Sequence, residues 1–396
     1  MSFLRFNRRV PTIVACALGA ALLGASSALL GLCGPFTDVA ADSFCPFVLE
    51  IFTLGITTGT SPTTYDPASS VSRLQMAAFL SRSVDGVLKR GSRRAALDQF
   101  WTTQNDSVLG LTTVGSTPVL LKSDGLDVWV ANFISASVSH VRGTDGKLLE
   151  TWTGATNAWG VLAAMGRVFV SGETTPGNLY RIDPSQTAGA VTTVASSLGG
   201  NPRGIAFNGS RIWTANNGDG TPGTGSVSIV TPGASIPWTV TNVSLGFSEP
   251  VGALYDGASI WVTDQNLNQL LKLSPAGAIL QTVTVGSGPN FPAFDGANIW
   301  VPNSGTNSVS VVRASNGVVL QTLTGNGLNV PRAAAFDGQS ILVTNTLGDS
   351  VSLWKAADLT SIGSFPTGAG TQPWGACSDG VNFWIALNSV NKIARF

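Results

Sequence analysis

The chain has 396 residues, zero formal net charge and only 11% charged side chains, so it lacks the surplus of Lys and Arg that neutralising a nucleic-acid backbone requires. Apolar residues make up 43% and glycine contributes 46 positions, the composition of a β-rich globular protein with many tight turns and not of a disordered chain. A single histidine, His140, narrows the catalytic chemistry open to it.

Arg5, Arg8 and Arg9 precede the run "PTIVACALGAALLGASSALL", which exits through Ser26-Ser27-Ala28. A basic start, an apolar centre and a small-residue exit predict a secretory signal peptide over residues 1–28. The run approaches the ~18–20 residues that span a bilayer, so an uncleaved anchor is the alternative, and the one route by which the chain would meet a membrane. Cys16 leaves with the signal. Cys33 and Cys45 are expected to pair in an oxidising compartment, a bond worth up to roughly 3 kcal/mol. The alternative is that Cys33, Cys45 and the distant Cys377 are three free, buried thiols.

Residues 33–90 read helically. "DSFCPFVLEIFTLG" sets Phe44, Phe47, Val48 and Ile51 on one face, with Gly55 as the stop. After the turn-rich loop "TTGTSPTTYDPASS", a second helix is predicted over "VSRLQMAAFLSRSVDGVL". Ser72 and Gln75 have capping-box spacing, and Leu74, Ala77, Ala78 and Val84 are expected to face the first helix. "FTDV" (36–39), "GITTG" (55–59) and "YDPASSVSRLQMAAFLSR" (65–82) together resemble one S-layer homology motif. That resemblance implies binding to anionic cell-wall polymers through a tetrad represented here by Ser72-Arg73-Leu74-Gln75. Arg73 is the candidate cell-wall-binding residue, since a guanidinium grips a carboxylate with two parallel hydrogen bonds; the alternative is a solvated first-turn arginine. "KRGSRRAALDQFW" (89–101) follows, and residues 91–105 are read as a basic, solvated linker.

From about residue 106 a repeat takes over. Turn dipeptides begin at Asp124, Met165, Asn208, Asp256, Asp295, Asp337 and Asp379, separated by 41, 43, 48, 39, 42 and 42 residues. Five positions after each turn start stand Trp129, Val170 (one place beyond Phe169), Trp213, Trp261, Trp300, Leu342 and Trp384. A period near forty with turn-bounded strands predicts a β-propeller. Asp-Gly is expected to join the first two strands because Gly and Asp or Asn tolerate positive φ. The second strand is apolar at successive positions, as in Ile299-Trp300-Val301, so both of its faces must be covered by neighbouring blades.

Units begin near Pro118, Ala158, Pro202, Pro250, Pro289, Pro331 and Pro373, and the last lacks an outermost strand. "DSVLGLTTV" (106–114) supplies it if the ring closes, leaving no unpaired edge. The fold class is therefore mainly β: a seven-bladed propeller over 106–396, preceded by a small α-helical S-layer homology-like module. The propeller resembles the YVTN-type and virginiamycin B lyase-like propellers, repeats shared by many activities.

The loops leading into each blade, and those between second and third strands, are expected to open on one face. The first set brings Trp159, Arg203, Glu249, Asn290, Arg332 and Trp374; the second brings Asn132, Asn216, Asp264, Asn303, Asn345 and Asn388. Trp159, Arg203, Arg332 and Trp374 are the candidate ligand-binding residues, because rings stack on sugars while guanidinium groups hydrogen-bond. Most of the Asn residues are expected merely to close turns. The lyase resemblance implies histidine and acidic residues with a metal, yet His140 lies in "SVSHVR" and reads as a surface strand histidine. The Glu249 and Asp264 pair is too thin for a carboxylate dyad. No catalytic residue, metal ligand or cofactor is assigned. The reading is a secreted or envelope non-enzymatic propeller whose partner is a cell-wall polymer, an envelope glycan or a protein. The alternatives are an extracellular lyase or hydrolase and a purely structural envelope protein.

Overall fold

The computed structural model describes residues 36–39, 45–53, 57, 59–80 and 110–396. The signal segment, Cys33, Phe44, Gly55, Val84 and the basic connector lie outside the described residues. Among the described residues no helix is long and apolar enough to cross a membrane. The chain divides into two compact units, within residues 1–102 and 103–396.

In the first unit, Phe36, Val39 and Val48 are buried together, with Cys45, Phe52 and Tyr65 packed against them. Phe36 meets Phe52 edge-on at 5.1 Å and Tyr65 at 5.7 Å. The Asp38 carboxylate accepts the backbone N–H groups of Tyr65 and Asp66 at 3.0 and 2.7 Å, which holds it below the usual carboxylate range. "FTDV" and "YDP" thus belong to one motif because the aspartate of the first clamps the backbone of the second. The helix Cys45–Thr53 buries Val48 but leaves Phe47 61% exposed, against expectation. The helical segment 73–80 opens with the expected reciprocal cap: Ser72 N–H donates to Gln75 Oε1 at 2.8 Å and Gln75 N–H to Ser72 Oγ at 3.2 Å. Leu74 is 84% exposed and Ala77 is exposed too, so neither is covered by the first helix.

Residues 110–396 form seven four-stranded antiparallel sheets. Blade 1 runs Pro118–Ser123, Asp127–Asn132, Ser137–Arg142 and Leu148–Thr153, hydrogen-bonded in that order. The inner strands of the other blades open at Ala158, Pro202, Pro250, Ala293, Pro331 and Pro373. Blade 5 departs from the pattern. Its inner strand shrinks to Ala293–Phe294, with one isolated bridge left from Pro289 to Asn303. Pro289 and Pro292 offer no N–H to the ladder. The fourth strand of blade 7 is Gly110–Thr113, which pairs with Lys392–Arg395, Gly110 opposite Arg395 and Thr113 opposite Lys392. The C-terminal Phe396 exchanges two backbone hydrogen bonds with Phe383, at 2.8 and 2.9 Å.

Every residue of the second strands Asp127–Asn132, Ile212–Asn216, Ile260–Asp264, Ser340–Asn345 and Phe383–Leu387 is buried. The cover comes from the adjacent blade. Trp129 clusters with Val168, Val170 and Tyr180 of blade 2, and Trp384 with Val128 and Val130 of blade 1. Cys377 sits in the latter cluster, where burial pushes its thiol up to about 12.

The Asp-Gly turns work differently from the expectation. Only the glycine takes positive φ, as at Gly125 (100°) and Gly296 (97°). The aspartate acts through its side chain. In Asp295, Oδ1 accepts the N–H groups of Ala297 and Asn298 at 2.8 and 2.6 Å, while Oδ2 accepts the indole N–H of Trp300 at 2.7 Å. Asp124 with Trp129, Asp256 with Trp261 and Asp379 with Trp384 repeat this at 2.8, 2.7 and 2.7 Å. The five-residue spacing between turn and tryptophan is thus a hydrogen-bond length. At blade 3 the turn residue is Asn208, whose Oδ1 takes the backbone of Ser210 and Arg211, and the buried Trp213 indole N–H has no acceptor.

A second device joins blades. Asn268, Asn307, Asp349 and Asn391 take left-handed φ of 57°, 47°, 45° and 56° between second and third strands. Each side chain accepts a backbone N–H of the next blade's leading loop: Gly288 at 2.9 Å, Val330 at 2.7 Å, Gln372 at 2.9 Å and, across the ring closure, Thr117 at 2.9 Å. Val330 itself sits at φ 54°, a conformation a β-branched residue rarely adopts, so this bond holds a disfavoured backbone in place.

These couples give a direct test by urea denaturation. Asn208→Asp supplies Trp213 with the missing acceptor and is expected to stabilise the propeller by about 1–2 kcal/mol, whereas Asp295→Ala is expected to cost about 1–3 kcal/mol. An unchanged midpoint in both variants contradicts the role given to the aspartates.

Candidate functional site

The second residue of each inner-strand segment forms a ring of seven: Val119, Trp159, Arg203, Val251, Asn290, Arg332 and Trp374. In six blades the register shifts by one residue directly after the leading position, for example between Pro202 and Ile205 and between Pro331 and Ala334. A bulge of this kind bends the strand and re-aims the side chain it carries. Close approach of adjacent inner strands is possible because small residues follow the ring. A Cβ on Gly160 would lie 2.2 Å from the Arg203 carbonyl, and one on Gly375 would lie 2.3 Å from that of Val119.

Hydroxyl groups on second strands fix the ring backbone from one blade to the next. Ser171 Oγ accepts Gly160 N–H at 2.8 Å and donates to the Arg203 carbonyl at 2.9 Å. Thr263 links Gly252 N–H to the Asn290 carbonyl, both at 2.8 Å. Thr344 links Ala333 N–H at 3.0 Å to the Trp374 carbonyl at 2.6 Å.

The four sequence-derived candidates meet. Trp159 and Trp374, from blades 2 and 7, contact edge to face with centroids 6.2 Å apart and planes at 81°. Arg203 lies over the Trp159 ring at 4.8 Å and Arg332 over the Trp374 ring at 4.5 Å. Phe133 also meets Trp159 edge to face, with centroids 5.4 Å apart. One face of each tryptophan is therefore already engaged by a guanidinium group, an arrangement the sequence did not foretell. Arg203 Nε donates to Glu173 Oε1 at 2.6 Å, an ion pair the sequence also left unseen. Among the described residues Arg332 donates only to the neutral Asn290 Oδ1, at 3.3 Å. Burial, and then the charge of Arg203, pull the Arg332 guanidinium below its ordinary value. Three buried donors here lack acceptors: Trp159 Nε1, Trp374 Nε1 and Arg332 Nε.

Trp159 packs onto an apolar waist of Val251, Phe291 and Ala333, with Leu120 and Ala376. Leu120, Phe291, Ala333 and Ala376 also line a cavity of about 360 Å³ that extends to Lys122, Tyr255, Phe294 and Phe336.

The remaining candidates are structural. Asn132, Asn216, Asn303 and Asn345 are fully buried, and each donates Nδ2 to two serines of its third strand: Ser137 and Ser139, Ser226 and Ser228, Ser308 and Ser310, Ser350 and Ser352. Asn388 Nδ2 donates to the Pro118 carbonyl at 3.0 Å, binding blade 7 to blade 1. Asp264 is fully buried and accepts the N–H groups of Ser248, Glu249 and Leu267, so its carboxylate is spent on backbone. His140 is not a surface strand residue. Its side chain is 14% exposed, stacks on Trp129 at 3.9 Å and lies between Asp127 (3.1 Å) and Glu150 (3.2 Å). Among the described residues no group of three or more His, Cys, Asp or Glu side chains is placed to hold a metal ion. In the first unit Arg73 stands exposed in the first turn of its helical segment.

Residues 35–77 match the S-layer homology domain. Among solved structures the chain is similar to a streptogramin B lyase (17% identity over 74% of this chain and 99% of that one, TM-score 0.58). It is similar also to a catalytically inactive virginiamycin B lyase from Staphylococcus aureus with quinupristin (17% identity, 73% and 99%, TM-score 0.59). A third likeness is to hydrazine synthase from Kuenenia stuttgartiensis (15% identity, 75% and 98%, TM-score 0.59). At such identities the likeness shows the fold alone. No curated protein sequence matches the chain. The protein thus carries an S-layer homology domain followed by a seven-bladed β-propeller, and the former indicates association with the cell surface or envelope.

The hydroxyl relay makes a stability prediction at the site. Thr344→Val keeps the shape but strands the Ala333 N–H and the Trp374 carbonyl, at an expected cost of about 1–3 kcal/mol measured by thermal or urea unfolding. A neutral result would mean that Trp374 is held by packing alone.

Proposed function

We propose that the protein is a non-enzymatic propeller displayed at the cell envelope. A signal peptide (1–28) directs it there, a module over 33–90 attaches it to a cell-wall polymer through Arg73, residues 91–105 serve as linker, and the propeller over 106–396 binds a partner at the mouth formed by Trp159, Arg203, Arg332 and Trp374. The observation that carries the binding role is the convergence of these four side chains, from four blades, into one contiguous group with buried donors left without acceptors. Buried polar groups in native proteins are otherwise nearly always paired. The wall-attachment role draws on the matched domain and on the exposure of Arg73 beside an intact helix cap. The non-enzymatic role draws on the engagement of His140 and Asp264 in internal hydrogen bonds. A disulfide between Cys33 and Cys45 forms part of this reading as a brace for the small module.

Cosedimentation of the full chain with purified cell-wall fractions tests attachment. Arg73→Ala is expected to weaken binding about tenfold or more, as loss of a charge-assisted hydrogen bond implies. Wall binding equal to that of the unsubstituted chain would remove Arg73 from the role.

A further inference from the structure

We propose that the Trp–Arg mouth of the propeller is an oxyanion site, taking a carboxylate or phosphate group carried on an envelope polymer. The inference rests on the binding role given to this mouth above and names the chemistry of its ligand. Three observations support it. First, among the four mouth side chains three buried donors lack acceptors: the indole N–H of Trp159, the indole N–H of Trp374 and the Nε–H of Arg332. Indole and guanidinium groups have no acceptor to offer, so what completes them must bring oxygen lone pairs and no competing donors. A neutral sugar hydroxyl brings both; an oxyanion brings only acceptors.

Second, the charges are unbalanced in one direction. Glu173 neutralises Arg203, whereas Arg332 has no ion-pair partner among the described residues. Asn290 does not compensate. It is buried, and its Nδ2 is committed to the Gly288 carbonyl and Ser304 Oγ, leaving only Oδ1 for Arg332. Burial and the neighbouring charge of Arg203 disfavour the Arg332 cation, and a bound anion would relieve it.

Third, the geometry disfavours the usual alternative. Neutral glycans are gripped by stacking on open aromatic faces, but here Arg203 and Arg332 lie over the two indoles at 4.8 and 4.5 Å, and the rings meet each other edge to face. The tryptophans fix the guanidinium planes, which leaves the guanidinium edges for recognition. A planar guanidinium presents paired N–H groups matched to carboxylate and phosphate oxygens.

Isothermal titration of the full chain with three probes tests this: an oligogalacturonate for carboxylate, a glycerol-phosphate oligomer for phosphate, and a neutral gluco-oligosaccharide. At least one anionic probe is expected to bind, with affinity falling as ionic strength rises. Arg332→Gln is expected to weaken that binding about tenfold or more and Arg332→Lys to weaken it less, since charge is kept and the paired donors are lost. Circular dichroism and melting of both variants report folding. The preferred anionic probe identifies which oxyanion is taken. Binding of the neutral probe as tightly as the anionic ones, abolished by Trp374→Ala but untouched by Arg332→Gln, overturns the oxyanion assignment and leaves the mouth a binding site. Binding of none of the three overturns both.

Discussion

The flank of a blade cannot stay wet. Each second strand is buried on both faces, and its side chains find much of their cover in the next blade. A buried tryptophan side chain withdraws ~150–250 Å² from water, very roughly 4–6 kcal/mol gross at ~25 cal/mol per Å². Trp129, Trp213, Trp261, Trp300 and Trp384 are all at most 1% exposed, so the contribution recurs around the ring. One blade by itself would expose that surface. An open ring would expose two flanks. Closure is therefore the condition under which every other contact exists, and residues from both ends of the propeller are spent on it: Gly110–Thr113 on the ladder of blade 7, Asn391 on the backbone of Thr117, and Asn388 on the carbonyl of Pro118.

The candidate site inherits its geometry from the same packing. Its residues sit on bulged inner strands, and the carbonyls of Arg203 and Trp374 are held by Ser171 and Thr344, side chains that belong to the preceding blade. The Trp159 side chain lies against the apolar waist of the channel. A site distributed over blades 2, 3, 6 and 7 is thus only as well positioned as the ring that carries it. The small amino-terminal unit solves the same problem at lesser scale: Phe36, Val39 and Val48 make a core of a few side chains, and the Asp38 carboxylate ties its two ends together.

Much of this was legible because repetition averages out ambiguity. The forty-residue period, the recurrent tryptophan and the shortfall of one strand in the last unit led to seven blades and a closing segment, and the leading-loop position picked out Trp159, Arg203, Arg332 and Trp374. What escaped had physical reasons. Helical spacing placed Phe47 with Val48, but a stripe does not say which side a thin module covers, and Phe47 lies outside. His140 read as a surface residue because its partners, Asp127 and Glu150, are cross-strand neighbours visible only with the register in hand. The Asn residues at 132, 216, 303 and 345 read as turn closers, although Asn132, Asn303 and Asn345 are each followed at five and seven places, and Asn216 at ten and twelve, by serines of a Ser-Val-Ser triplet. That spacing was a readable signal of an internal network. The inter-blade links at Asn268, Asn307, Asp349 and Asn391 look like ordinary turn residues, and nothing in a single chain separates a side chain that caps its own turn from one that reaches the next blade.

Ring closure is tested most directly by hydrogen–deuterium exchange on the full chain carrying Thr112→Pro, which removes the backbone donor that the closing strand presents to Ile393. The account predicts that the denaturation midpoint falls, that the amide of Ile393 loses protection, and that the loss spreads to the second strands of blades 7 and 1, Phe383–Leu387 and Asp127–Asn132. A variant that keeps its midpoint and its exchange protection throughout would show that the blades hold together without the clasp.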